Sequence, residues 1–163
     1  KAMTELFLSD LSRRGDLSAI SLRLPGIVAR PAAETGHGSA FMSQLFHKIA
    51  AGEPYACPVP ETAACWWMSR RACVTALLHA AALSGPETVI QPPVLHATTG
   101  AVARATAEVT GQAAQVDWGN DPRLTALFGA MPPLDATPAR HLGFAADADV
   151  RTLVAHALAK DAP

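Results

Sequence analysis

Helical stripes and short β-rich runs take turns along this chain, and that alternation restricts the fold more than any single motif does. Residues 2 to 14 place Met3, Leu6, Phe7, Leu11 and Arg14 at three- and four-residue intervals, a helical stripe ended by Gly15. Residues 19 to 24 alternate and are β-rich, predicting a buried strand closed by Pro25-Gly26 and followed by the apolar Ile27-Val28-Ala29. A helix is expected over 39 to 51, with Ser39 as its cap and Gly52 beyond its end. Residues 55 to 60 should be extended, 65 to 68 a short strand that packs Trp66 and Trp67 into a core, and 70 to 83 a helix. Thr88 to Ile90 is a further strand candidate before the Pro92-Pro93 break. Thr98 or Thr99 can cap a helix reaching Thr110, where Gly111 stops it, and 114 to 118 is again strand-like. Helices are predicted over 122 to 128, 137 to 141 and 147 to 160. Strands alternating with helices define an α/β architecture.

Composition narrows the function classes. Of 163 residues half are hydrophobic and 17% charged, enough to bury one sizeable core. A net charge of -1 with scattered Lys and Arg provides no basic stripe for phosphates or an anionic bilayer, so neither nucleic acid nor membrane is an expected partner. Every apolar stretch is interrupted before the roughly 18 residues a spanning helix needs. The first residues lack a secretory signal, which points to the cytoplasm, and a helix already under way at Lys1 suggests a truncated chain. Cys57, Cys65 and Cys73 form no CxxC pair and read as reduced thiols; no metal site is expected. His47, His79, His96, His141 and His156 are dispersed without HExxH spacing, and no GxSxG elbow exists for a serine hydrolase.

Several phrases, in order, carry a resemblance. Lys1-Ala-Met-Thr-Glu-Leu-Phe-Leu-Ser-Asp-Leu-Ser-Arg-Arg-Gly15 and Leu22-Arg-Leu-Pro-Gly-Ile-Val-Ala-Arg-Pro31 resemble the stretch after the catalytic tyrosine in extended short-chain dehydrogenases, most of all the D-erythronate dehydrogenase branch. Trp67-Met-Ser-Arg-Arg-Ala-Cys-Val74, Asp117-Trp-Gly-Asn-Asp-Pro122 and Leu142-Gly-Phe-Ala-Ala-Asp147 continue it. The glycine-rich dinucleotide loop, the active-site serine or threonine and the YxxxK tyrosine of that family are absent, and Tyr55, with Val59 four residues on, does not supply the pair. The resemblance therefore implies the C-terminal part of a Rossmann-type parallel sheet plus a small α/β substrate-binding portion. Residues 1–31 would be the last part of the dinucleotide-binding core. Residues 32–163 would be mainly substrate-binding, with a strand and helix near 65–83 returning to the core.

By the same resemblance Lys1 is the lysine of YxxxK, catalytic and hydrogen-bonded to the nicotinamide ribose of NAD. Residues four apart share a helix face, so its ammonium would lower the pKa of the tyrosine one turn earlier. Pro25, Gly26 and Ile27 would border the nicotinamide. Ser39 would face the substrate, and Arg70 or Arg71, with Arg30 a weaker candidate, would clamp a carboxylate through paired hydrogen bonds. His37 falls in a loop where the family sequence is not kept. Residue type alone leaves plainer alternatives open: a solvated lysine at Lys1, an ordinary turn at Pro25-Gly26, a cap at Ser39 and a solvated helix start at Arg70-Arg71. The implied function is NAD-dependent oxidation of a short sugar acid resembling D-erythronate by a homodimer, the chain alone being inactive. The alternatives are a nucleotide-sugar epimerase or dehydratase and a non-catalytic α/β binding module.

Overall fold

A computed structural model describes residues 1–30, 38–85 and 89–159. Its elements are helix α1 (Ala2–Arg13), strands β1 (Ser21–Leu22) and β2 (Gly26–Val28), helix α2 (Ala40–Ala50), strands β3 (Tyr55–Cys57) and β4 (Ala64–Ser69) and helix α3 (Arg70–Ala82). There follow β5 (Val89–Ile90), β6 (Leu95–Thr98), α4 (Thr99–Thr110), β7 (Val116–Trp118), α5 (Pro122–Leu124), a π-helical turn over Thr125–Gly129, α6 (Thr137–His141) and α7 (Val150–Leu158). The α/β alternation holds.

Three small sheets organise these strands. β4 is the middle strand of the largest, parallel to β2 (Gly26 opposite Trp67, Val28 opposite Ser69) and antiparallel to β6. β1 pairs with β5, and β3 with β7, both parallel. The strand at 65–68 thus lies beside the one that starts at Gly26.

α2 is apolar on a broad face because Phe41, Met42, Leu45, Phe46 and Ile49 recur at helical spacing, and all five are buried. They meet Val102 of α4 and Leu153 and Val154 of α7 in a core that centres on Trp67, which is fully buried. The Phe46 ring meets Trp67 edge-on at 6.0 Å, and the Trp67 indole N–H donates to the Ala97 carbonyl at 2.9 Å. A smaller core under α3 gathers Ala76, Ala80, Ile90, Ala139 and Phe144. Sequence signals set the helix ends: Thr98 Oγ1 accepts from Ala101 N–H, and Gly111 closes α4 in the left-handed region at φ 68°.

Four details depart from the sequence reading. β6 was hidden behind the Pro92-Pro93 break, and its pairing with β4 supplies what its own pattern lacks. The 19 to 24 segment is half-buried, not buried, and only Ser21–Leu22 is strand. Trp66 does not share the core with Trp67: neighbouring residues of a strand face opposite ways, so Trp66 is half-buried and its indole N–H donates to Pro132. The helix expected over 122 to 128 changes to a π turn at Thr125, which carries Leu127 and Phe128 to the cavity described next. Thr88 and His37 lie outside the described residues.

α1 is attached differently from the rest, for it buries no side chain. Glu5 receives two prongs of the Arg23 guanidinium, at 2.7 and 3.1 Å, and Ser12 Oγ accepts from Ala19 N–H. That ion pair holds the half-buried Glu5 carboxyl below its usual range and the exposed Arg23 above it.

The three cysteines are free and buried. Burial pushes the Cys65 thiol up to about 12 and raises Cys57 and Cys73 as well. Because the folded pKa values exceed the unfolded ones, this contribution to stability is complete below the ordinary thiol pKa of 9.0 and is lost as pH rises toward about 12. Urea midpoints measured from pH 7 to 11 should therefore fall most steeply above pH 9, and thiol-specific reagents should label Cys57 and Cys65 only on unfolding. Rapid labelling of the native protein at pH 8 would contradict this.

Candidate functional site

The end of β1 turns through Pro25 into β2, and there a cavity of about 280 Å³ opens between the sheet, α2 and the π turn. Leu24, Pro25, Gly26, Ser39, Met42 and Trp66 line it, with Leu127, Phe128 and Met131 completing the wall. Apart from Ser39 and main-chain atoms the lining is apolar, a composition suited to orienting a small ligand by a few polar contacts.

Glycine at position 26 is required by close approach. A Cβ there would stand 2.6 Å from Met42 Cε and 3.1 Å from the Trp66 carbonyl oxygen. Bare backbone lets β2 pass beneath Met42 and keeps the cavity open.

Ser39 occupies the cap position of α2, but its hydroxyl makes no cap bond; it accepts from Arg30 Nη2 at 3.1 Å instead. Arg30 is held at two further points. Its N–H donates to Ser43 Oγ at 3.1 Å, and its carbonyl accepts from His47 Nε2 at 2.6 Å. The resemblance had offered Pro25, Gly26 and Ser39 as separate candidates, and the fold brings these three to one cavity, with Arg30, outside the lining, bonded to Ser39. The signal that could have pointed to Arg30 is the polar series Ser39, Ser43, His47 at four-residue steps through an apolar helix.

The other candidates stand elsewhere. Lys1 is exposed at the head of α1, Ile27 pairs with Met68 within the sheet, and neither is among the residues lining this cavity. Arg70 and Arg71 begin α3, also outside the lining; Arg70 Nη2 donates to the Ala159 carbonyl at 3.3 Å, and Arg71 is exposed.

Tyr55 offers no substitute for a catalytic phenol. It is buried beside α2, its hydroxyl directed at the Phe41 carbonyl and Gln44, and desolvation raises its pKa further from neutrality. His79 and His96 each bind a carbonyl, of Leu142 and Met131, and no cluster of metal-ligating side chains exists among the described residues. Ser69, Asp147 and His156 form a buried network, but the aspartate lies between the other two: Ser69 Oγ donates to Asp147 Oδ1 at 2.7 Å and His156 Nδ1 meets the same oxygen at 2.8 Å. A nucleophilic serine needs the imidazole beside its hydroxyl, so this network is a structural tie.

With this geometry, solved structures of similar fold can be compared. A nucleoside-diphosphate-sugar epimerase from Agrobacterium tumefaciens superposes with a TM-score of 0.83 over 94% of this chain and 47% of its own, at 31% identity. An L-threonine dehydrogenase from Cupriavidus necator in its holo form gives 0.81 over 94% and 51%, and at 21% identity speaks for the fold alone. The chain thus shares its fold with parts of these epimerase and dehydrogenase structures. Its sequence relatives are narrower: it is 35% identical over 155 residues to D-erythronate dehydrogenase of Cupriavidus necator, covering 91% of this chain and 48% of that protein. The D-erythronate dehydrogenase of Haemophilus influenzae is 29% identical over 161 residues, 94% of this chain and 51% of that protein. The chain spans about half the length of these curated relatives. No established family profile matches it.

Proposed function

We propose that the protein to which this chain belongs is an NAD-dependent dehydrogenase that oxidises a hydroxyl of a short sugar acid. The observation that carries the reading is the cavity that joins the Pro25-Gly26 bend to Ser39, to which Arg30 is bonded, in a chain similar to D-erythronate dehydrogenases. Bound NAD would supply the hydride acceptor. The residues present fit its nicotinamide end, since Gly26 lines the cavity without a side chain of its own, beside the movable tip of Met42. Pro25 and Gly26 would border the ring, with Ile27 behind them in the sheet, and Lys1 would hold the ribose while tuning a tyrosine one turn before it. Ser39 would orient the substrate hydroxyls, and Trp66, Leu127 and Phe128 would exclude water from the reacting carbon.

In this reading residues 1–31 complete a dinucleotide-binding core and 32–163 are mainly the substrate-binding portion. A partner copy would cover α1, whose Met3, Leu6 and Phe7 share an exposed stripe. No described helix is long and apolar enough to cross a membrane, and three unpaired thiols suit a reducing cytoplasm.

A second reading, epimerase or dehydratase action on a nucleotide sugar, draws on the Agrobacterium structure. The test is NADH formation at 340 nm by the full-length protein with a panel of four-carbon sugar acids. Turnover of D-erythronate or an epimer is expected. Activity confined to nucleotide sugars would replace this reading with the second, and no turnover of either class would leave a binding module.

A further inference from the structure

We propose that Arg30 is the residue that takes the substrate's carboxylate, and that one face of α2 is built to hold it ready. The inference rests on the sugar-acid reading above and goes further by assigning the acid group to a particular side chain. Three polar residues at four-residue steps, Ser39, Ser43 and His47, all bind Arg30, at its guanidinium, its N–H and its carbonyl respectively. Ser43 is 6% exposed and sits among the buried Phe41, Met42, Leu45 and Phe46. The bonds from Ser43 and His47 satisfy main-chain groups, as any chain turning away from a strand requires. The bond from Ser39 is of another kind, because it ties an exposed, flexible side chain, itself outside the cavity lining, to a residue that lines the cavity.

Charge supports the same conclusion. Among the described residues Arg13, Arg14, Arg23 and Arg104 each meet a carboxylate of the protein, whereas Arg30, Arg71, Arg123, Arg140 and Arg151 make no such pair, and of these Arg30 bonds through Nη2 to a residue that lines the cavity. Its guanidinium keeps further N–H donors in a planar fork that matches a carboxylate. Ser39 Oγ accepts from Arg30, so its own proton remains free to donate toward the same ligand. Arg30 and Ser39 together thus present one cation and two kinds of donor to an acid group at the cavity rim. Arg70, the earlier candidate, is directed to the Ala159 carbonyl instead.

The test compares wild type, Arg30→Gln and Arg30→Lys in the full-length protein with saturating NAD. With D-erythronate, Arg30→Gln is expected to raise KM about 30-fold while kcat stays within about threefold, as for loss of a charge-assisted pair. Arg30→Lys should recover part of that, since an ammonium keeps the charge but not the fork. With erythritol, which has the same carbon chain and no carboxylate, wild type and Arg30→Gln should differ by less than about twofold. An unchanged KM for D-erythronate, or an equal loss on both compounds, would overturn the assignment and leave Arg30 a structural residue. Calorimetric titration with D-erythronate separates the two levels of the argument. Acid binding without turnover, lost in Arg30→Gln, upholds the clamp while removing the dehydrogenase reading; no acid binding by wild type removes the clamp.

Discussion

Replacing Asp147 by alanine lowers the free energy of unfolding by about 3 to 5 kcal/mol, the usual consequence of removing one partner from a buried charged network. The carboxylate is 6% exposed and takes three bonds: Ser69 Oγ at 2.7 Å, Ser69 N–H at 2.9 Å and His156 Nδ1 at 2.8 Å. Ser69 in turn accepts from Ala72 N–H and so caps α3. One side chain therefore ties the end of β4, the start of α3 and the last turn of α7. Without it a buried N–H and an imidazole lose their acceptor, and the capping hydroxyl loses its orientation. Asparagine keeps one acceptor oxygen and should fall between wild type and alanine. Urea unfolding followed by circular dichroism measures all three; a loss below about 1 kcal/mol for alanine would mean that water replaces the carboxylate at little cost.

Trp67→Ala should cost a comparable 3 to 5 kcal/mol, roughly the range for truncating a buried aromatic. The side chain is fully buried, packs edge-on against Phe46 and donates to Ala97. Its neighbour makes the informative control. Trp66 leans into the cavity from the opposite face of the same strand, so Trp66→Ala should cost about 1 kcal/mol or less and should act on KM instead. Equal destabilisation by the two changes would refute the division of β4 into a core face and a cavity face.

Local signals made much of the frame legible. Thr98 and Gly111 bracket α4, the spacing of Phe41, Leu45 and Ile49 declares α2, and 137 to 141 is the helix expected. What escaped depends on partners distant in sequence. β6 is a strand because β4 lies beside it, and Asp147 matters because Ser69, 78 residues earlier, is its neighbour in space. The site divided the same way. The resemblance points to Pro25, Gly26 and Ser39 one by one, whereas residue type alone reads Ser39 as a cap, because nothing in the chain order announces that Arg30 turns back onto it. The π turn that delivers Phe128 to the cavity has no sequence signature distinct from an α-helix.

α1 touches the remainder through the Glu5–Arg23 pair and the Ser12 hydroxyl, with no side chain sunk into either core. Such an element opens at far lower free energy than the parts around it, and ions in the medium weaken the attraction that seats it. In the full-length protein the seating of this helix therefore falls to whatever packs on its exposed Met3, Leu6 and Phe7 stripe, a partner copy in the reading above.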